Sequence, residues 1–212
     1  MVDGDFHGAH FFWGVVEPIG RVERPVDGLM SGRERIDDQL LVLRCQQGDP
    51  AAFDRLVGRW QERLWRHAWR LTEDETAAWD VLQEAWIAIA RGLRRLEDEA
   101  AFPAWAYRIV SHKCRDWVRR EARRRRTDRT YTERAQAAGE EAGQRQQRCA
   151  GLKEAVAQLP HRDRAILSLR YQEQFDTAEI AGILGVPEGT VKSRLHYARK
   201  RLRQYLEEND DE

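Results

Sequence analysis

The chain has 212 residues, which is enough for two small domains. Its 36 basic and 36 acidic side chains cancel, so any charged surface must come from uneven placement along the sequence. No apolar run approaches the ~20 residues that a membrane-spanning helix needs. The cysteines, Cys45, Cys114 and Cys149, are odd in number and far apart. This excludes a disulfide scaffold and a clustered metal site, and favours the reducing cytoplasm.

Apolar residues recur at helical spacing, and no segment alternates as a strand would, so the predicted fold is all-α. Glycine and proline interrupt residues 1–35, which are predicted to be a flexible extension. A first domain over residues 36–120 follows. Its predicted helices are Asp37–Gln47, Ala51–Leu71, one from a capping box at Thr72–Glu75 to about Leu93, and one from Phe102 to about Arg126.

Charge changes sign within this first domain. Residues 73–99 are mainly acidic, and we interpret their surface as a partner-facing edge. Arginines crowd the end of the next predicted helix, which is typical of a surface that binds phosphates. Trp105 fits the apolar stripe of that helix and is expected mainly in the core. Tyr107 lies off the stripe and is predicted to be free to stack on an unpaired base.

The second half of the chain contains a linker and a second domain. Residues 121–150 are rich in Ala, Gln, Glu and Arg without an apolar stripe, which predicts a flexible linker. Residues 151–206 regain helical periodicity and form the second predicted domain. Residues 207–212 are an acidic tail.

The pattern within this second domain is that of a helix-turn-helix unit. Asp176 and Glu179 have capping-box spacing, Gly185 suits a helix end, and Pro187 suits the start of the next helix. That next helix has an apolar stripe on one side and basic or small polar side chains on the other, which fits the major groove of DNA. The predicted DNA-contacting residues are Glu188, Gly189, Thr190, Lys192, Ser193, Arg194, Tyr197 and Arg199.

These residues resemble the promoter-reading domain of sigma-70-family transcription initiation factors. The resemblance is carried by LPHRDRAILSLRYQEQF and GTVKSRLHYARKRLRQYL. In the first half, QQGDPAAFDRLVGRW, DVLQEAWIAIARGLRRL and FPAWAYRIVSHKCRDWVRREARRR resemble the domain that binds core polymerase and the −10 promoter element. The two-domain organisation is most similar to the extracytoplasmic-function branch.

The resemblance implies specific partners and residues. Core RNA polymerase and promoter DNA are the expected partners, with an anti-sigma protein that holds the free factor. The second helix of the helix-turn-helix unit would read the −35 element. Polymerase contacts are expected at Asp80, Gln83, Glu84 and Trp86. Contacts to the −10 element are expected at Tyr107, Arg108, His112, Lys113, Arg115, Arg119 and Arg120.

Catalytic signatures are missing from the sequence. It contains no Gly-rich phosphate loop, no HExxH and no GxSxG motif, so no enzyme activity, metal or cofactor is predicted. Two other classes remain open on the residues alone. One is a stand-alone helix-turn-helix regulator that acts without polymerase. The other is a nuclease or recombinase with a helix-turn-helix appendage.

Overall fold

The computed structural model describes residues 32–128 and 155–210. Most of the predicted N-terminal extension and of the predicted linker therefore lies outside the described residues. The regular elements of the described part are helices and turns. The N-terminal domain contains helices α1 (Gly32–Gln46), α2 (Pro50–Thr72), α3 (Glu75–Gly92) and α4 (Phe102–Asp128). The C-terminal domain contains α5 (His161–Leu167), α6 (Thr177–Leu184) and α7 (Glu188–Asp210).

Side-chain caps set the helix starts in the N-terminal domain. The Asp49 carboxylate accepts hydrogen bonds from the Ala51 and Ala52 amides, and Pro50 occupies the first turn of α2. Helix α3 is capped by Asp74, which accepts from the amide of Ala77. The predicted capping box at Thr72–Glu75 is therefore wrong. Thr72 instead ends α2, where its hydroxyl donates back to the carbonyl of Ala68.

The core of the N-terminal domain lies between α2, α3 and α4. Trp60 of α2 is at its centre, only 1% exposed, with the edges of Phe102 and Tyr107 against its ring. Aromatic pairs in such edge-to-face geometry add to the gain from burial alone. Two short 3-10 turns, Leu93–Arg95 and Glu99–Ala101, connect α3 to α4. Trp60 and Trp86, both 5% exposed or less, therefore serve packing.

The two domains are in contact. Helix α6 packs against α4, and α5 packs against α2. The ring of Phe175, which precedes α6, meets the ring of Tyr107 edge-on at 5.5 Å between centroids. His161, at the start of α5, meets Trp69 of α2 in the same way at 6.2 Å. A π-type turn, Ser168–Gln172, carries the chain from α5 towards this contact.

Two helices continue beyond their predicted ends. Helix α4 extends to Asp128, two residues past its predicted end near Arg126 and into the segment that was assigned to the linker. Helix α7 extends to Asp210, so residues 207–210 are helical although they were assigned to an acidic tail.

Candidate nucleic-acid and polymerase interface

The helix-turn-helix corner has the predicted local geometry. Asp176 accepts a hydrogen bond from the Glu179 amide at 2.7 Å, and the Glu179 carboxylate accepts one from the Asp176 amide at 2.7 Å. This reciprocal pair is a complete capping box. Gly185 ends α6 at φ 60°, a left-handed conformation that glycine adopts without steric cost. A Cβ at this position would clash with the guanidinium of Arg115 of α4, so a side chain here would require that arginine to move.

Helix α7 has one buried and one open side. Val191, Leu195 and Ala198 are 4% exposed or less and pack on the rest of the C-terminal domain. The open side carries most of the predicted DNA-contacting residues. Exposed are Glu188, Gly189, Lys192, Ser193, Tyr197 and Arg199, whereas Thr190 and Arg194 are half-buried. His196, which the sequence analysis missed, is exposed between them and touches Tyr197 edge-on at 5.6 Å.

The first turn of α7 holds its charges in local pairs. Glu188 pairs with Lys192 at 2.9 Å and accepts the Thr177 hydroxyl at 2.7 Å. The hydrogen bonds from these two side chains lower the pKa of Glu188. Among the described residues, Arg194 forms no ion pair, in contrast to Lys192.

Helix α4 carries exposed basic residues as predicted. Arg108, His112, Arg119 and Arg120 are exposed, and Lys113 and Arg115 are half-buried. Burial and neighbouring arginines, Arg115 first, lower the pKa of His112, which favours its neutral form. The Nζ of Lys113 donates to Glu84 of α3 at 3.1 Å, and Arg120 lies 3.7 Å from the same carboxylate. These cations are thus tied to the neighbouring helix.

The prediction that Tyr107 lies off the packing stripe is wrong. Its side chain is 1% exposed and lies among Trp60, His67 and Phe175. Burial, with the nearby carboxylate of Glu173, raises the pKa of Tyr107 well above its ordinary value. In this conformation the ring cannot stack on a base. Trp105 is half-buried and packs beside Gly92.

Helix α3 presents a mixed face where polymerase contacts were predicted. Asp80 and Gln83 are exposed, and Glu84 is half-buried. Trp86 is only 5% exposed because its ring packs edge-on against Phe53, so its predicted role as a surface contact is wrong in this conformation. Ile87, which the sequence analysis missed, is 48% exposed on this face.

Reactive side chains and metal clusters are not prominent in the described part of the chain. Burial raises the pKa of Cys45 to about 11 and that of Cys114 to about 12, so both thiols stay protonated at neutral pH. No group of three or more metal-ligating side chains occurs among residues 32–128 and 155–210. None of the helices in these ranges is both long enough and apolar enough to span a membrane.

Comparison with known proteins identifies the class. The family model for sigma-70 region 2 matches residues 56–124, and the model for sigma-70 region 4 matches residues 150–202. These matches coincide with α2–α4 and with the helix-turn-helix domain. The chain belongs to the sigma-70 family of RNA polymerase sigma factors. Its relatives place it in the extracytoplasmic-function branch.

The relatives match over nearly their whole length. The chain is 32% identical to the RNA polymerase sigma-H factor of Pseudomonas aeruginosa, over 80% of this chain and 94% of that protein. It is 34% identical to the ECF RNA polymerase sigma factor SigM of Mycobacterium tuberculosis, over 89% of this chain and 93% of that protein. The protein is thus a sigma factor that acts in promoter-specific transcription initiation.

Solved structures share the fold. One is the sigma factor RpoE of Bartonella quintana, in complex with the anti-sigma factor NepR. It has a TM-score of 0.57 at 22% identity and covers 73% of this chain and 96% of that chain. Another is CnrH in complex with the cytosolic domain of CnrY, with a TM-score of 0.53 at 24% identity, covering 81% of this chain and 97% of that chain. Two all-helical domains are therefore confirmed.

Proposed function

We propose that the three exposed faces divide the work of a sigma factor between them. Helix α7 reads the −35 element in the major groove, α4 contacts the −10 element, and α3 docks on core polymerase. Catalysis of RNA synthesis belongs to the polymerase, and this chain contributes binding alone. Its place of action is then the cytoplasm, with the polymerase.

The observation that carries the proposal is the two-sided character of α7. One side is buried against a properly capped helix-turn-helix partner, and the other presents Ser193, Lys192 and Arg194 near the helix N-terminus. Arginine and lysine are the commonest readers of guanine in the major groove, and small hydroxyl residues allow close approach. The buried stripe fixes the rotation of α7 about its own axis, so the side that would face DNA is already oriented in the free protein.

The polymerase face rests on α3. Asp80, Gln83 and Ile87 form an exposed surface of mixed polarity, and Glu84 joins it to α4. We assign core binding to this surface, with Ile87 in the place of Trp86 as the apolar contact. The solved structures with related folds contain anti-sigma factors, which supports an anti-sigma protein as a further partner of this chain.

The test is run-off transcription with core polymerase and a promoter selected by start-site mapping. We expect Lys192→Ala with Arg194→Ala to remove promoter-specific transcripts while core binding in a pull-down persists. Each lost base contact should cost about 1–3 kcal/mol. The matched control is Lys200→Ala with Arg203→Ala, which removes two cations from the same helix farther from its N-terminus. Equal promoter selectivity of both double variants would overturn the assignment.

A further inference from the structure

Helix α1 is apolar on two opposite sides. Leu41 and Val42 face the core and are 9% exposed or less. On the opposite side Ile36, Leu40 and Leu43 follow one another at helical spacing and are 58%, 53% and 38% exposed. We name these three residues the outer stripe. A helix that is apolar on both sides is expected to be covered on both.

The clustering of exposed apolar residues on α1 is unusual within the described part of the chain. Eight large apolar side chains are exposed there, and three of them form the outer stripe of this one helix. Single exposed apolar residues are ordinary on a protein surface, whereas neighbouring ones form a patch that points to a binding partner. The outer stripe therefore calls for an occupant.

A groove beside the outer stripe adds a positive charge. It has a volume of about 410 Å³, lies between α1 and α2, and includes Leu40 in its wall. Its charged lining residues are Asp37, Arg44, Arg55 and Arg59. Arg44 already pairs with Asp49, and Arg59 with Asp38, each at 2.7 Å. Arg55 forms no ion pair with the residues that the structure describes, so it is the cation left for an acidic ligand.

The chain contains a segment of matching chemistry directly before α1. Its apolar run consists of Phe11, Phe12, Trp13, Val15 and Val16. Glu17 follows this run immediately. Residues 1–19 contain three carboxylates, of which Glu17 is one, and neither lysine nor arginine. Apolar surface and negative charge therefore occur side by side in this segment, as they would have to on a ligand of the outer stripe and Arg55.

We propose that residues 11–17 dock on the outer stripe of the same molecule, with the Glu17 carboxylate on Arg55. Fifteen residues separate Val16 from Gly32, where α1 begins, and an extended chain of that length reaches about 50 Å. Leu43, the far end of the outer stripe, lies only about 16 Å along the helix axis from Gly32. The connection is therefore long enough for the apolar run to return along the whole stripe.

The covalent connection also makes this segment a better occupant than a free partner. A ligand tethered by a short linker has an effective concentration in the millimolar range, so a small contact surface is sufficient for docking. A second copy of the chain would have to bind the stripe without this advantage, and its binding would depend on protein concentration. The inference goes beyond the proposed function, because it concerns a contact within the free chain.

The experiment measures the initial rate at which chymotrypsin cleaves the full chain after Phe11, Phe12 or Trp13, with the products identified by mass. We expect Leu40→Ser with Leu43→Ser to accelerate this cleavage at least about tenfold, because the rate follows the population of the undocked segment. Both leucines are exposed, so their replacement removes no core packing. The matched control is Val118→Ser with Tyr171→Ser, two exposed apolar residues of other elements, which should leave the rate unchanged.

The charge contact is tested by exchanging its two members. Arg55→Glu should accelerate cleavage, and Glu17→Arg in the Arg55→Glu background should restore the slow rate. This pair of variants also decides the question if the serine variant fails to fold by circular dichroism. Equal rates for the wild-type chain and the folded serine variant overturn the inference. Protection that is lost on dilution also overturns it and assigns the outer stripe to a second copy of the chain.

Discussion

Helices α4 and α7 are the two basic helices of this sigma factor, and they differ in what covers them. Helix α7 packs on its own domain along one stripe and leaves the opposite side open. Helix α4 packs on its own domain along one side and is also covered by α6 of the other domain. Its remaining exposed cations, such as Arg108 and Arg119, lie beyond that contact.

The difference fits the roles that we propose for the two helices. Duplex DNA presents its base edges in a groove, so a rigid helix with one side always exposed is sufficient to read them. Single-stranded DNA is bound by aromatic and cationic groups that lie side by side. When exposed, such a surface also binds other partners. In this conformation it is closed by Phe175 and Glu173. Under this proposal, the free chain can bind duplex DNA before it binds an open strand.

The largest effect is expected for Tyr107→Ala. This variant tests whether the covered side of α4 is part of the protein core. The ring is buried between Trp60 and Phe175, so its removal should cost about 3–5 kcal/mol of unfolding free energy, as for other large aromatic truncations. Tyr107→Phe keeps the ring and should cost far less. Urea titration measures both. A stable Tyr107→Ala variant that loses only strand binding would return this residue to the role of an exposed base-stacking group.

A smaller effect should come from His67, beneath the covered side of α4. Burial, with the charge of Arg70, lowers the pKa of His67 to about 3, and its Nε2 lies 2.9 Å from the Ser111 hydroxyl. The folded state thus holds a neutral ring that the unfolded state protonates below pH 6.5. Stability is fully present above that pH and falls as the pH drops towards the folded value.

The expected loss at pH 5.5 is about 1.4 kcal/mol, one pKa unit of proton uptake by the unfolded chain. The measurement is the free energy of unfolding in urea between pH 8 and pH 5. His67→Gln should be less stable at pH 8 and should show a shallower decline. Parallel curves for the two proteins would show that His67 is not the source of the pH dependence.

The smallest effect is expected on the α7 side, from Asp176→Ala. This change removes half of the capping box that starts α6 and should cost about 1 kcal/mol. Asp176→Asn retains an acceptor for the Glu179 amide and should recover most of it. Thermal unfolding of the full chain reports both. Helix α6 also packs on α4. A loss of stability several times larger than about 1 kcal/mol would therefore mean that the cap also stabilises the contact between the domains.

The sequence was sufficient where local chemistry decides the structure. The Asp176–Glu179 capping box, the left-handed Gly185 and the buried stripe of α7 each depend on neighbours within a few residues. Their geometry was predicted correctly because each signal is short-range and has one common physical solution.

The sequence was insufficient for predicting which side chains are buried where the burial depends on a distant segment of the chain. Helix α4 has two apolar arcs, one through Phe102 and Trp105 and another through Tyr107 and Cys114. Periodicity alone selects the first arc. The second is buried because it packs on α2 and because Phe175 covers Tyr107, and no pattern within α4 announces these contacts. Trp86 was misplaced for the same reason, since its cover is Phe53 of α2.

Glu84 joins the surface of α3 to the cations of α4, because Lys113 and Arg120 both approach its carboxylate. A polymerase cation that bound Glu84 would compete with these two side chains and release them towards DNA. Core association and strand binding would then be thermodynamically linked, each strengthening the other by the same factor. The free chain would hold its strand-binding charge partly neutralised, and polymerase would restore it at the place where the DNA is opened.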